Sequence, residues 1–183
     1  MSNLLDELFA DDNKAAIEEV QKNFNLSEQE TRAAVEELIP ALSRGLQKNS
    51  AETPGMDELL EALRTGKHER YMEKPGSLGT RETVKDGNDI LGHIFGSKEV
   101  SREVATRASG KTGLSSTLLK KMLPVVASLV MGALSKKVLG GGRSSAPTSR
   151  AETGGLLSSL LDSDKDGSIW DDVLGMAART LLR

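Results

Sequence analysis

The chain has no cysteine, two histidines, and only one tryptophan, one tyrosine and three phenylalanines among its 183 residues. Without cysteine there can be no disulfide, thiol nucleophile or cysteine-bound zinc, a composition that fits a reducing compartment. With aromatics at 3%, any core has to come from Leu, Val, Ile, Ala and Met. Strong charge of one sign is missing too: a net charge of −3 exerts no overall pull toward nucleic acid. Long apolar runs are equally scarce. The most apolar stretch, 122–134, is flanked by lysine pairs and falls short of the roughly 20 residues that cross a bilayer. It reads as a buried helix. The start of the chain, broken by acids at Asp6, Glu7, Asp11 and Asp12, lacks the basic opening and apolar run of a signal peptide. A soluble, cytoplasmic protein with no membrane span is expected.

Catalytic signatures are also lacking. There is no Gly-x-Ser-x-Gly, no His-Glu-x-x-His and no phosphate-binding loop. Gly110-Lys111-Thr112 matches only the end of such a loop, lacks its upstream glycine and follows a helical pattern instead of a strand. His68, among Lys67, Glu69 and Arg70, reads as a solvated surface residue, and His93 as a helix-surface or interface residue. No nucleophile–base pair or cofactor site emerges. The expectation is a non-enzymatic protein that requires no cofactor and takes no small-molecule substrate.

What the chain does have is helical periodicity. Apolar residues recur at helical spacing almost throughout, and no segment sustains the alternation of a strand, so the fold class is all-α. Leu4, Leu5, Leu8 and Phe9 form one short face, and Ala16, Ile17, Val20 and Phe24 continue it. Ser27-Glu28-Gln29-Glu30 is a capping box ahead of a stripe at Ala34, Val35, Leu38, Leu42 and Leu46. Pro40 inside that stripe predicts a kink or a restart. Thr53-Pro54 opens a helix carrying Leu59, Leu60 and Leu63, and Gly66 ends it. Residues 74–88, with Pro75, Gly76, Gly79 and Gly87, read as a long loop. Helices resume behind Asp89, and Pro124 starts the long apolar one. On that helix Ser128 and Gly132 lie four apart, letting another backbone approach within a bundle or at a subunit interface.

The sequence also repeats. Leu5, Phe9, Leu26, Leu38, Leu42 and Gly45 are answered by Leu91, Phe95, Leu114, Val125, Leu129 and Gly132, at offsets of 86 to 88. The copies carry opposite charge: residues 3–48 hold ten acids and five bases, and residues 89–137 hold three acids and eight bases. Five segments follow: an acidic repeat (1–48), a connecting helix and loop (49–88), a basic repeat (89–139), a Gly/Ser linker (140–155) and an amphipathic tail (156–183). The expected architecture is a duplicated multi-helix module forming an orthogonal bundle, with a tethered C-terminal helix-turn-helix tail. By composition the linker is flexible and spans roughly 20–25 Å end to end. Within the tail, Asp162, Asp164, Asp166, Gly167 and Ser168 match the first positions of an EF-hand loop. Trp170 and Val173 occupy positions that should coordinate, and Asp172 arrives one residue early. Calcium is therefore an optional ligand at Asp162, Asp164, Asp166, Ser168 and Asp172, and Ser168–Asp171 reads equally as a capping box.

Gly87-Asn88-Asp89-Ile90-Leu91-Gly92-His93-Ile94-Phe95-Gly96-Ser97, His68-Glu69-Arg70-Tyr71 and the Asp-rich turn of the tail resemble the YidB-like family of bacterial proteins. The resemblance spans nearly the whole chain. It implies an all-helical, cytoplasmic bacterial protein and brings no catalytic residues with it. The expected function is a helical scaffold that self-associates into a homo-oligomer or filament through its oppositely charged modules and a docking tail. Leu156, Leu157, Leu160, Leu161, Trp170, Val173 and Leu174, with Ser128 and Gly132, are the expected contacts. A calcium-responsive binding module and a nucleic-acid-binding helical protein are the alternatives.

Overall fold

The computed structural model of the chain describes residues 4–50 and 53–139. Among them every regular element is helical: α1 (Leu4–Leu8), α2 (Lys14–Phe24), α3 (Glu28–Ser50), α4 (Thr53–Thr65), α5 (Arg70–Glu73), α6 (Arg81–Phe95), α7 (Lys98–Thr112) and α8 (Ser116–Leu139). Short 3-10 turns lie at Asp11–Asn13 and Pro75–Ser77. The linker and the tail, with the calcium-like turn and the contacts expected at Leu156 through Leu174, fall outside the described residues.

Helix starts follow the capping chemistry. The Glu30 carboxylate accepts the Ser27 N–H at 2.8 Å, while the Ser27 hydroxyl accepts the Glu30 N–H at 3.2 Å. These bonds from Ser27 hold the Glu30 carboxyl below its usual range. Thr80, Ser97 and Ser115 accept the Thr83, Val100 and Leu118 N–H groups in the same way at the starts of α6, α7 and α8.

Two local expectations are corrected. The long loop at 74–88 ends early, because α6 begins at Arg81 and runs straight through Gly87. That glycine marks a contact instead of a turn: a Cβ there would overlap the Pro124 carbonyl, so α6 and α8 cross backbone to backbone at this point. Likewise Pro124 does not start the long apolar helix, which begins at Ser116 and runs through it, and α3 runs through Pro40 without a restart. Each proline removes one backbone donor. Their neighbours Leu38, Ile39, Ala41 and Leu42, and Leu123, Val125 and Val126, are all buried and hold both helices together across the gap.

Helix α8 packs against each of the other seven described helices. By length and composition Ser116–Val138 could cross a membrane, yet 78% of its most apolar window is covered by the rest of the chain. Leu119, Met122, Leu123, Leu129 and Leu134 are fully enclosed. Each such side chain contributes about 1.5–3 kcal/mol by leaving water.

The small residues of α8 serve this packing within the chain, one of the two roles that their spacing allows. Ser128 is buried, and its hydroxyl donates to the Thr83 carbonyl of α6 at 3.2 Å. At Gly132 a Cβ would lie 2.9 Å from the His68 carbonyl oxygen and 3.3 Å from the Tyr71 Cβ. Both positions bring the α5–α6 region close to α8, and neither is exposed to a partner.

Acidic and basic regions meet inside the chain. Helix α3 packs on α6, α7 and α8, and α1 packs on α8. Lys111 of α7 pairs with Glu37 of α3 at 3.1 Å, and Lys137 of α8 pairs with Glu7 of α1. Lys136 adds a hydrogen bond to the Asn13 side-chain oxygen at 3.2 Å.

Candidate functional site

Two features concentrate the unusual chemistry: a polar clamp at α5 and an apolar groove beside α4. The clamp is built where the chain turns between α4 and α6. Tyr71 is completely buried, and its hydroxyl donates to Asp86 Oδ2 at 2.5 Å. Arg70 Nη2 donates to the same oxygen at 2.7 Å and to the Tyr71 hydroxyl at 2.9 Å, while Nη1 reaches Glu82 at 3.1 Å. The guanidinium stands 5.0 Å from the centre of the Tyr71 ring. His68 lies 6.0 Å from that ring, centre to centre.

His68 is only 7% exposed, which corrects the reading of a solvated histidine. Of its charged neighbours in sequence, Lys67 is exposed while Arg70 turns into the clamp, and the ring is buried beside Tyr71. Burial lowers its pKa below the ordinary imidazole value, against the opposing pull of the Asp86 carboxylate. Burial and the bond to Asp86 push the Tyr71 hydroxyl up, and the bond to Tyr71 raises Arg70. Arg70 therefore stays charged and Tyr71 neutral. With one Asp86 oxygen shared by two donors, the cluster ties α5 to the first turns of α6.

The groove has a cavity volume of about 460 Å³, within the range of small-ligand and peptide pockets. Leu46, Ile94 and Met131 form its floor, and Leu59 and Ala62 of α4 and Ile90 of α6 form its walls. Asp57, Glu58 and Glu61 stand along the α4 side, and among the described residues no lysine or arginine contributes to the lining. The groove exists because of how α4 is seated. Leu60 and Leu63 are buried where α4 packs on α3 and α8, leaving Met56, Leu59 and Ala62 on the next face only half covered. Beside it, Asn49 Nδ2 donates to the His93 carbonyl at 2.5 Å and ties α3 to α6. The His93 side chain is exposed on α6, as its sequence neighbourhood implies, and joins the groove lining.

A second cleft of about 490 Å³ between α2, α6 and α8 is more polar, with Lys120 and Lys121 beside Phe24, Val84 and Val125. Among the described residues no group of three or more His, Asp or Glu side chains is placed to hold a metal ion.

Sequence reasoning misses both main features for different reasons. The clamp joins Arg70 and Tyr71 to an aspartate 15 residues on, across a turn that reads as loop. No local spacing encodes that. The groove does leave a trace: Met56, Leu59 and Ala62 recur every three residues beside the Leu60–Leu63 stripe, so α4 carries more apolar face than one contact needs.

No curated protein and no solved structure matches the chain. A family model described as a bacterial protein of unknown function (DUF937) matches residues 6–137. The matched span carries the clamp and every groove residue. A match over most of the chain shows its kinship: the protein belongs to this bacterial family of unknown function, DUF937.

Proposed function

We propose that this protein is a non-enzymatic helical scaffold that self-associates, and that it does so by seating an apolar helix in the α3–α4–α6 groove. The groove carries the proposal: it is an apolar surface with room for several side chains, and its lining is more apolar than that of the lysine-edged second cleft. The opposite charges of the two halves take a different part in this reading from the one their sequence suggests. With Glu7 on Lys137 and Glu37 on Lys111, they align the halves within one chain. Contacts between chains then fall to apolar surface.

The order of elements supports descent of the halves from one three-helix unit. Helices α1, α2 and α3 are followed in the same order by α6, α7 and α8, and the third helix is the longest in each half. Gly45 and Gly132, which correspond in the repeat, each stand where another segment of the chain comes too close for a side chain. A scaffold grown by duplication needs no catalytic centre to be selected, only a stable body and a contact.

The test is the mass of the full-length protein by multi-angle light scattering. Ile90→Asp, which places a charge in the groove wall, should lower the mass toward that of one chain. Raising the salt should leave the wild-type mass nearly unchanged, because the groove contact is apolar. A wild-type mass of one chain at every concentration would end the self-association reading.

A further inference from the structure

We infer that the occupant of the groove is the protein's own C-terminal segment, residues 168–183, which docks there as a helix. The inference rests on the reading of the groove as a dock for an apolar helix and names the helix. Three observations carry it.

The first is pattern. Trp170, Leu174, Ala177 and Leu181 follow the i, i+4, i+7, i+11 spacing of one helical stripe, with Val173 beside it. That stripe covers about 16 Å of helix. The lining runs over residues 55–62 of α4 and 90–94 of α6, about 12 Å and 7 Å of helix, so the groove holds the middle of that stripe and not its whole length.

The second is charge. Residues 173–183 hold Arg179 and Arg183 and no acid, while Asp171 and Asp172 fall at the start of the segment, where acids suit a helix N-terminus. The described groove lining holds Asp57, Glu58 and Glu61 and no lysine or arginine. The basic end of the segment thus approaches its site with favourable charge, while its apolar stripe supplies the contact itself.

The third is reach. Met131 on the groove floor lies eight residues before the end of α8 at Leu139, a distance of about 12 Å along the helix. Ser135 of the same helix donates to the Leu63 carbonyl of α4 at 3.5 Å, so α8 leaves the body alongside the helix that walls the groove. The 28 residues of 140–167 separate the end of α8 from the segment, and their Gly/Ser-rich first 16 alone span roughly 20–25 Å by composition. A tail on that tether reaches the groove of its own chain or of an adjacent copy.

The absence of cysteine makes the test direct. In the full-length protein, Ala62→Cys in the groove wall is combined with Ala177→Cys in the tail, and mild oxidation is followed on non-reducing gels. The control pairs Ala177→Cys with Ala15→Cys, which is exposed on α2. Seating of the tail should make the disulfide between positions 62 and 177 form on the order of tenfold faster than the control. Equal rates overturn the inference.

Trp170 is the sole tryptophan and gives a second readout without cysteines. Its emission should be blue-shifted in the wild type and move to the red in Leu174→Asp, a tail substitution that leaves the helical body untouched. Emission typical of solvated tryptophan in the wild type also overturns the inference. The linkage pattern separates the two ideas. Rapid disulfide formation confined to single chains upholds the tail as occupant and counts against self-association. Slow formation, with Ile90→Asp still lowering the mass, upholds self-association and removes the tail as its agent.

Discussion

Helices α8 and α4 are both leucine-rich, but α8 is apolar almost all round while α4 is amphipathic, and they end in opposite positions. Every residue from Met122 to Ser135 of α8 is buried, and the helix touches all the other described helices. Helix α4 buries Leu60 and Leu63 and leaves Met56, Leu59 and Ala62 half covered. The difference shows that apolar content alone does not assign a role. A helix surrounded on all sides holds the fold together. A helix seated on one edge keeps apolar area that a partner can still cover, and the groove of this protein is the product of that one-sided seating.

The largest test of the contrast is truncation of matched leucines. Leu123→Ala in α8 should cost about 2–5 kcal/mol in urea unfolding, since no rearrangement fills a cavity enclosed by neighbouring helices. Leu59→Ala in α4 should cost less, under about 2 kcal/mol, because that side chain is only partly buried and water can enter the space it leaves. Equal losses would break the comparison. Next comes Gly87→Ala, where the added methyl meets the Pro124 carbonyl. It should destabilise by about 1–3 kcal/mol, reading out the closeness of the α6–α8 crossing. If the melting temperature is unchanged, the two backbones have room to part.

A smaller effect is expected from pH. The folded pKa of His68 lies below the ordinary 6.5. Above that value the imidazole is neutral in both states and no stability is lost. As pH falls from 6.5 toward the depressed folded value, the unfolded chain takes up the proton first, so stability declines across that window. Comparing pH 7.5 with pH 5.5 in thermal melts, on either side of about 6.5, should show His68→Gln losing less stability than the wild type. The least effect belongs to the surface. Removing the half-exposed Lys111–Glu37 pair should show a coupling of about 0.2–1 kcal/mol in a double-mutant cycle, fading in high salt. A larger coupling would mean that charge, and not apolar packing, holds the two halves in register.

Legibility in the sequence tracked the distance over which each interaction acts. Ser27 and Glu30 are three residues apart, and their capping box formed as its spacing implies. The stripe of α3 and the burial of residues 122–134 were readable because periodicity reports directly on which face avoids water. Gly87 and Pro124 misled as punctuation for one shared reason. Each is a strong local breaker, but the two lie against each other in space, and that contact turns both into packing residues. His68 misled because charged neighbours in sequence are a poor guide to burial when the chain turns at that point.

From sequence alone came the all-helical class, the helix starts, the core stripes and the opposite charge of the two halves, since each depends on residues within a turn or two of one another. Tertiary structure alone decided that those halves pair inside one chain, that Ser128 and Gly132 face inward, and that Asp86 holds Arg70 and Tyr71. It also decided that α4 sits at an edge and leaves a groove. Each of these depends on which helices become neighbours. That choice is set by how all the apolar faces are covered at once, and no single stretch of the chain encodes it.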